Sequence, residues 1–312
     1  MTELDGADRL DPALRDVATT RTEFSVPAIQ LIRGPFNERR RLTAEQTDAH
    51  GVRIVEGSVP TPAGGIRVRI YRGGPADRAP VVVYCHAGGF ALGNLDTDHR
   101  QCVELSRRAR CTVVSVDYRL APEHPFPAAL EDAGATLQWV AANAARLNVD
   151  PDRLAVAGSS AGAALAACLA QRAAGGDLPP VTFQLLHQPV LDDRVTPSKA
   201  QFRTSPAFDG EAADLMWRHY LGPAGASESA VPARRAEFTG LPPALITCAE
   251  IDPFRDEAID YALLLLRAGV SAELHVFART CHGFDSLLPD WVGSQRLFAL
   301  QGSALSGAWL GD

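Results

Sequence analysis

The feature that most constrains this chain is a regular alternation of short apolar runs with longer stretches of helical periodicity. Short runs rich in β-branched residues are typical of strands covered on both faces, and they lie at 81–85, 112–116, 154–157, 182–186, 244–249 and 272–277. Stretches of helical periodicity lie at about 97–109, 127–147, 160–174, 255–268 and 291–308. Strands that alternate with helices form right-handed βαβ units. The pattern therefore predicts an α/β fold with a mainly parallel sheet.

Two segments depart from this alternation. Residues 52–59 and 66–71 alternate apolar with polar side chains around the turn at 61–65, which is typical of an antiparallel hairpin and brings the predicted strands to eight. Residues 192–238 separate two strands and are rich in proline, glycine, serine and charge, with a helix-like aromatic patch at 216–220. An insertion of this length inside an α/β core usually covers the site as a lid, and we predict that role for it.

The composition argues against several classes of protein. The net charge is −7 with a pI near 5.6, so the chain lacks the polybasic face of a nucleic-acid-binding protein. No apolar run reaches the roughly 18 residues that a membrane span needs, and the polar N-terminus has no secretory signal pattern. The chain has no HExxH motif, and its cysteines form no CxxC pair: Cys85, Cys102, Cys111, Cys168, Cys248 and Cys281. We therefore expect a cytoplasmic protein with reduced thiols, no metal, no cofactor, and no nucleic-acid or membrane partner.

A serine turn follows the apolar run at 154–157. The segment Gly158-Ser159-Ser160-Ala161-Gly162 has the G-x-S-x-G spacing between a strand and a helix. Its glycines remove Cβ atoms that would collide with neighbouring elements, and the Ala161 N–H at the helix N-terminus can stabilise an oxyanion. A small-residue turn without catalytic meaning is the alternative, whereas a nucleotide-binding turn is excluded because the chain has no G-x-G-x-x-G and no P-loop lysine. The spacing selects Ser160, rather than Ser159, as the candidate nucleophile.

A serine nucleophile needs a histidine base, and the base needs an acid that fixes its tautomer. In this fold the order along the chain is serine, acid, histidine, and among the eight histidines only His219, His275 and His282 lie well after an acid-bearing strand end. His275 falls within the alternation of a strand, whereas His282 lies in a loop just after one, beside a glycine. We therefore predict that His282 is the base. The acid stays open among the carboxylates that follow the strand at 244–249: Glu250, Asp252 and Asp256.

The strand at 81–85 runs into the segment His86-Ala87-Gly88-Gly89-Phe90. A strand that ends in histidine and small residues suits a loop whose backbone N–H groups closely approach a ligand. The segment resembles the His-Gly-Gly-Gly motif of the hormone-sensitive-lipase-like branch of the α/β-hydrolases. This resemblance implies that Gly88 and Gly89 donate to an oxyanion together with Ala161. It also implies that Ala87 shapes the loop and that His86 is structural.

Further segments resemble motifs of the same family in the same order. Residues 117–129 resemble a long signature of structural role. Residues 158–163 resemble the family's Gly-Asp-Ser-Ala-Gly-Gly, with Ser159 in place of the aspartate. Residues 252–257 and 282–284 resemble its acid and histidine motifs. So many matches in the right order make chance agreement very improbable.

The resemblance extends from about residue 45 to the C-terminus and has consequences for the acid and the fold. It implies that Asp252 is the triad acid, with Asp256 as the fallback. It also implies the α/β-hydrolase fold, with an eight-stranded, mainly parallel sheet flanked by helices and a helical cap. The N-terminal part of that cap would be polar and helix-prone, interrupted by Pro12, Pro27 and Pro35. The implied domains are a cap of 1–45 and 192–238 and a catalytic core of 46–191 and 239–312.

These residues predict a serine hydrolase that cleaves carboxylic esters through an acyl-enzyme, and the resemblance implies small-molecule esters of short to medium acyl chain. An amidase or deacetylase would use the same triad. The alternative from another class is a ligand-binding relative without catalytic activity, since fold does not determine function. The presence of all three triad residues, Ser160, Asp252 and His282, favours the enzyme. The resemblance also implies a homodimer formed through the last strand and helix. Some cap aromatics either line an apolar pocket or form the cap's own core: Phe202, Phe208, Trp217 and Tyr220.

Overall fold

The computed structural model describes residues 4–62, 64–74 and 77–309. The strands of this part of the chain are Arg53–Thr61 (β1), Gly64–Arg72 (β2), Ala79–Cys85 (β3), Thr112–Val116 (β4), Val149–Ser159 (β5), Phe183–His187 (β6), Ala244–Ile251 (β7) and Ala272–Cys281 (β8). Its α-helices are Pro12–Arg15 (α1), Val26–Gln46 (α2), His99–Arg108 (α3), Ala128–Ala142 (α4), Ala144–Leu147 (α5), Ala161–Ala174 (α6), Pro197–Gln201 (α7), Gly210–Leu221 (α8), Arg255–Arg267 (α9), Phe284–Leu287 (α10) and Val292–Trp309 (α11). None of these helices has the length and apolar character that a membrane crossing requires.

The strands form one sheet in the order β1-β2-β4-β3-β5-β6-β7-β8. The strands β1 and β2 are antiparallel, β2 pairs antiparallel with β4, and every pairing from β4 to β8 is parallel. This topology confirms the predicted fold class. The chain passes from β3 to β4 on one side and then to β5 on the other, and a reversal of this kind opens a crevice at the carboxyl ends of the central strands. Those ends are Cys85 in β3 and Ser159 in β5.

The central strands are buried on both faces, as their β-branched runs predict. All seven residues of β3 and all five residues of β4 are buried. On one face Val81 and Val83 pack in a cluster with residues of α4, α6 and α9. On the other face Val82 and Tyr84 pack with residues of α3 and α11. All six cysteines are buried and have free thiols, in agreement with the sequence.

Two helices differ from the sequence prediction. The stretch predicted as one helix over about 127–147 is divided at Asn143, whose side-chain amide donates to the Trp139 carbonyl at 2.9 Å. Asparagine competes with the backbone for helical hydrogen bonds in this way. Pro35, predicted as an interruption, lies inside the 21-residue helix α2, of which only Ile29 is buried. An exposed helix tolerates the lost hydrogen bond because water can bind the carbonyl left without a partner.

Candidate active site

The predicted triad residues follow parallel strands, so they lie at one edge of the sheet. Ser160 comes directly after β5, Asp252 after β7 and His282 after β8. The predicted donor loop at 86–90 follows β3, which neighbours β5 in the sheet. Ligand sites of open α/β sheets lie outside the carboxyl ends of the strands. The topology therefore brings all the predicted site segments to the expected place.

The side chains of the three residues are joined by hydrogen bonds. His282 Nε2 lies 2.9 Å from Ser160 Oγ, and His282 Nδ1 lies 2.8 Å from Asp252 Oδ2. Asp252 is fully buried, and Ser160 and His282 are 6% and 8% exposed. The second carboxylate oxygen of Asp252 accepts the Phe254 N–H at 2.8 Å, which fixes the orientation of the carboxylate. The arrangement offers a proton path from the serine hydroxyl to an imidazole that a buried carboxylate orients.

Ser160 has a strained backbone, with φ 56° and ψ −120°. A positive φ of this kind in a non-glycine residue costs about 1–3 kcal/mol and persists only where the surroundings impose it. The Ser160 N–H donates to the His187 carbonyl at 2.8 Å, and the Ser160 carbonyl accepts the Ala163 N–H at 3.0 Å. These bonds hold the serine directly before the N-terminus of α6, which begins at Ala161.

The glycines on either side of the serine are required by close backbone contacts. A Cβ atom on Gly162 would lie 2.0 Å from the Cys85 carbonyl oxygen, and one on Gly158 would lie 2.3 Å from the Gly162 carbonyl oxygen. Both obstacles are backbone atoms of packed central elements, which yield little in a close-packed interior. The spacing of the serine turn is therefore set by packing as well as by chemistry.

We expect Gly162→Ala to lower the free energy of unfolding by about 3 kcal/mol, because the added methyl group meets the backbone of β3. Gly34→Ala is the matched control, since nothing lies within 4 Å of a Cβ at that position in α2. Alanine is also the better helix former, so the control is expected to be neutral or stabilising. Urea unfolding of both variants measures the difference, and equal stabilities would contradict the steric explanation.

The loop after β3 presents free backbone N–H groups. Gly88 and Gly89 have φ values of 133° and 59°, which favour glycine. The Gly88 carbonyl accepts the N–H groups of Ala91 and Leu92 at 3.1 and 2.8 Å, which folds the loop back on itself. Within the described ranges, no acceptor pairs with the N–H groups of Gly88, Gly89 or Ala161. These groups are therefore available to an oxygen atom of a ligand.

Asp98 holds the start of this loop. Its carboxylate accepts the Ala87 N–H at 2.8 Å and the Tyr84 hydroxyl at 3.1 Å. Asp98 directly precedes α3, yet its side chain makes no capping hydrogen bond to that helix. Burial raises the pKa of Asp98 above its ordinary value, while the Ala87 N–H and Arg40 act in the opposite direction. The Ala87 N–H is thus engaged within the protein, which agrees with a loop-shaping role for Ala87.

His86 belongs to the scaffold of the loop. It is 1% exposed, its Nδ1 lies 2.7 Å from the Ala87 carbonyl oxygen, and its ring stacks on Tyr118 with 4.2 Å between the ring centroids. The Tyr118 hydroxyl donates to the His86 carbonyl at 2.7 Å. Burial lowers the pKa of His86 to about 4, so the imidazole is neutral near pH 7. These contacts agree with the structural roles implied for His86 and for the signature at 117–129.

The other carboxylates considered for the acid have partners outside the triad. Glu250 accepts the Arg279 N–H at 2.8 Å. Asp256, the fallback, accepts the Ser198 N–H at 2.8 Å and so contacts the insertion. The carboxylate that contacts the imidazole is Asp252.

The other histidines considered for the base have different surroundings. His219 Nε2 lies 2.8 Å from the Phe24 carbonyl oxygen. His275 pairs with Glu273 at 2.7 Å on β8, where its side chain is 42% exposed. Of the predicted candidates, His282 is the one that the structure brings to the serine.

Phenylalanine rings cover the site. The ring centroids of Phe208, from the insertion, and of Phe254 lie 5.7 and 5.2 Å from that of His282. Phe24, from the N-terminal segment, lies 5.3 Å from Phe208, and its ring would be 2.4 Å from a Cβ on Gly89. The N-terminal segment and the insertion therefore meet above the donor loop and the histidine.

The four aromatic residues of the insertion that the sequence analysis named occupy different places. Phe208 contacts the histidine, as described. Tyr220 stacks on Phe90 at the end of the donor loop, with 3.8 Å between ring centroids, and Trp217 lies 5.9 Å from the same ring. Phe202 packs in a separate cluster with residues of α1. Only the first three are near the site.

Comparison with known proteins agrees with this fold. A family model described as the α/β-hydrolase fold matches residues 82–286. The chain belongs to the α/β-hydrolases. This α/β-hydrolase is 43% identical over 240 residues to esterase LipI of Mycobacterium tuberculosis, covering 75% of each chain. The crystal structure of esterase LipW from Mycobacterium marinum superposes with a TM-score of 0.97 at 64% identity, covering 99% of both chains.

A further solved structure extends the similarity to a more distant relative. A bacterial heroin esterase superposes on this α/β-hydrolase with a TM-score of 0.90 at 35% identity, covering 97% of this chain and 99% of the other. The resemblance to the hormone-sensitive-lipase-like branch, which the motifs indicated, is confirmed by the family match and the esterase relatives.

Sequence reasoning missed several residues of this α/β-hydrolase that contact the site. Phe24 lies far from every motif, and Asp98 stands where a helix cap is expected. His187 ends β6 and Gln188 follows it, and this strand leads into no recognised motif. A signal was available for these two, since polar residues at the carboxyl end of a buried parallel strand lie at the same edge as the serine turn.

Proposed function

We propose that this α/β-hydrolase is a carboxylesterase that cleaves small-molecule esters of short to medium acyl chain through an acyl-enzyme on Ser160. The observation that carries the proposal is the hydrogen-bonded series from Ser160 Oγ through His282 to the buried Asp252, at 2.9 and 2.8 Å. Relatives that are esterases support the ester as the substrate class.

In the first step, Ser160 Oγ attacks the carbonyl carbon of the ester while His282 Nε2 takes the hydroxyl proton. Asp252 accepts the hydrogen bond from Nδ1–H, which leaves Nε2 free as the base and stabilises the imidazolium. The free N–H groups of the donor loop and of the first residue of α6 bind the oxyanion. His282 then protonates the leaving alcohol, and the acyl group remains on Ser160.

In the second step, water attacks the acyl carbonyl with His282 as the base, and the same N–H groups bind the second oxyanion. The bond between the acyl carbon and Ser160 Oγ breaks, and the serine recovers its proton from His282. The products are the carboxylic acid and the free enzyme. The ester bond to the alcohol broke in the first step, and water supplies the new bond in the second. Each turnover therefore consumes one ester and one water.

The phenylalanine cover leads to a prediction on acyl-chain length. Phe24 is 1% exposed and lies against Gly89, so Phe24→Ala frees space beside the proposed oxyanion. We expect the ratio of kcat/KM for p-nitrophenyl decanoate to that for the acetate to rise about 10-fold. Phe238→Ala is the control, because this ring is also buried but packs on Tyr261, 5.4 Å between centroids. An unchanged ratio for Phe24→Ala would contradict a role of this ring in limiting chain length.

The proposed function is tested by hydrolysis of p-nitrophenyl esters from acetate to palmitate, with the corresponding anilides and N-acetyl amines as parallel substrates. We expect the highest kcat/KM for short to medium esters. Faster turnover of the amides would favour an amidase or deacetylase with the same triad. No turnover of any of these substrates would contradict the proposal and favour a ligand-binding protein.

Cytoplasmic location, a homodimer and the division into cap and core stay predictions of the sequence. For the homodimer, we propose pairing through β8 and α11. In support, β8 is an edge strand of the sheet, and Val276 on it is 42% exposed. Sedimentation equilibrium measures the mass in solution, and a monomer at all concentrations would contradict the pairing.

A further inference from the structure

The carboxyl end of β6 contacts both the serine turn and the loop of the catalytic histidine. The His187 carbonyl accepts the Ser160 N–H at 2.8 Å. The Gln188 side-chain oxygen accepts the N–H of Gly283, the residue after His282, at 2.6 Å. The side chains of His187 and Gln188 are both buried. We propose that His187 and Gln188 are positioning residues that hold His282 at hydrogen-bonding distance from Ser160.

The His187 side chain supplies a second link to the same loop. Its Nε2 lies 3.0 Å from Asp285 Oδ1, and its Nδ1 lies 2.8 Å from Thr247 Oγ1 on β7. Asp285 is the second residue of α10 and is 7% exposed. The backbone of His187 therefore contacts the nucleophile, and its side chain contacts the start of the helix that follows His282.

The charge of Asp285 makes this link stronger than a neutral hydrogen bond. Burial opposes ionisation of Asp285, but the contacts with His187, together with the Asp285 backbone N–H and the charge of Arg40, hold the pKa of Asp285 below its ordinary value. An ionised acceptor forms a hydrogen bond roughly twice as strong as a neutral one. The pair is distinct from the triad pair, since His187 contacts neither Asp252 nor the serine hydroxyl among the described contacts.

The loop of His282 and Gly283 needs the support of His187 and Gln188 because it has little regular structure of its own. Gly283 is in the left-handed region at φ 72°, and α10 has only four residues. A helix this short does not hold its own position. Asp252 fixes the Nδ1 side of the imidazole, but the distance from Nε2 to the serine also depends on the backbone of the loop. A displacement of about 1 Å in such a geometry can cost about 100-fold in rate.

The backbone of Gln188 is itself constrained. Its φ is 45°, an uncommon value for a residue other than glycine. Its N–H donates to the Thr247 carbonyl at 2.6 Å, which ties this conformation to β7. Non-glycine residues held in this way cluster at functional sites. The conformation places the amide oxygen of the side chain against Gly283 rather than in solvent.

The inference rests on the proposed esterase reaction, and its test uses variants that separate positioning from folding. Gln188→Met keeps the length of the side chain and removes the acceptor. The double variant His187→Phe/Asp285→Asn keeps a ring and leaves no unpaired buried charge. His187→Gln restores an N–H close to the position of Nε2. His275→Gln is the matched control, because His275 also pairs with a carboxylate but lies on the exposed part of β8.

We expect Gln188→Met and the double variant to lower kcat for p-nitrophenyl butyrate by about 10- to 100-fold with KM nearly unchanged. His187→Gln is expected to recover most of kcat, and His275→Gln to leave it unchanged. A merely structural role predicts a lower unfolding midpoint with normal kcat per folded molecule. Normal kcat in both Gln188→Met and the double variant, in an enzyme whose turnover requires Ser160, would overturn the inference and leave the proposed function intact.

A second measurement needs no turnover. In a crystal structure of Gln188→Met we expect the separation of His282 Nε2 and Ser160 Oγ to exceed the limit of a hydrogen bond, about 3.5 Å. If the wild-type protein shows no Ser160-dependent turnover, the proposed function fails, and this distance alone decides the inference. An unchanged distance would overturn it. If Gln188→Met does not fold, the separation of His282 Nε2 and Ser160 Oγ is measured in the double variant instead, and an unchanged distance there would overturn the inference.

Discussion

Ser160→Ala is expected to lower kcat for ester hydrolysis by about 10⁶-fold, which is the typical cost of removing a triad serine. Without Oγ no acyl-enzyme forms, and what remains is the stabilisation that the oxyanion donors give to attack by water. The free energy of unfolding is expected to change little, because the Ser160 backbone bonds to His187 and Ala163 do not involve the side chain. Stopped assays with p-nitrophenyl butyrate and urea unfolding measure the two quantities.

Ser159→Ala is the matched control for this prediction. Ser159 ends β5 directly before the nucleophile, and it is the residue most easily confused with it in the sequence. We expect the control to keep kcat within about 10-fold of the wild type, since the side chain of Ser160 retains its bond to His282. A loss in Ser159→Ala as large as that in Ser160→Ala, or turnover unaffected by Ser160→Ala, would contradict the choice of nucleophile.

Asp252→Asn is expected to lower kcat by about 10⁴-fold while the fold persists. The asparagine amide would donate to His282 Nδ1, which stabilises the tautomer whose Nε2 carries the proton. That nitrogen faces Ser160 Oγ at 2.9 Å and could no longer accept the serine proton. Steady-state kinetics and circular dichroism of the purified variant measure the two effects.

Asp256→Asn is the control for the acid, because Asp256 lies in the first turn of α9, only four residues after Asp252, and was the fallback candidate. Its partners are the Ser198 N–H and the Arg255 guanidinium, not the histidine, so we expect a loss in kcat below about 10-fold. A larger loss in Asp256→Asn than in Asp252→Asn would show that the acid had been assigned to the wrong residue.

Much of the fold and of the site was predictable because the strands, the serine turn and the position of His282 depend on local sequence. The β-branched runs of β3 and β4 predict buried strands, since only a two-sided apolar environment accommodates them. The glycines of the serine turn were predictable because a Cβ atom at either position would collide with backbone atoms. A Cβ atom on Gly162, for example, would lie 2.0 Å from the Cys85 carbonyl oxygen. His282 was selected by its place after a strand, which parallel topology converts into proximity to the serine.

The contacts of the remaining residues were not predictable because they join segments that are distant in the sequence. Asp98 has the sequence position of a helix cap, but its carboxylate binds the Ala87 N–H instead. Phe24 lies in a polar segment and acquires its place only when that segment packs against Phe208. The pairing of His187 with Asp285 joins residues 98 positions apart, and no spacing rule connects them.

The most direct test of the account is to trap the acyl-enzyme. Wild-type protein is mixed with p-nitrophenyl butyrate, quenched in acid during turnover, digested and mapped by mass spectrometry, with Ser160→Ala in parallel. We predict one butyryl group on the peptide that contains Ser160 in the wild type and none on the corresponding peptide of the variant. A butyryl group on another residue during wild-type turnover, or full turnover by Ser160→Ala, would contradict the account.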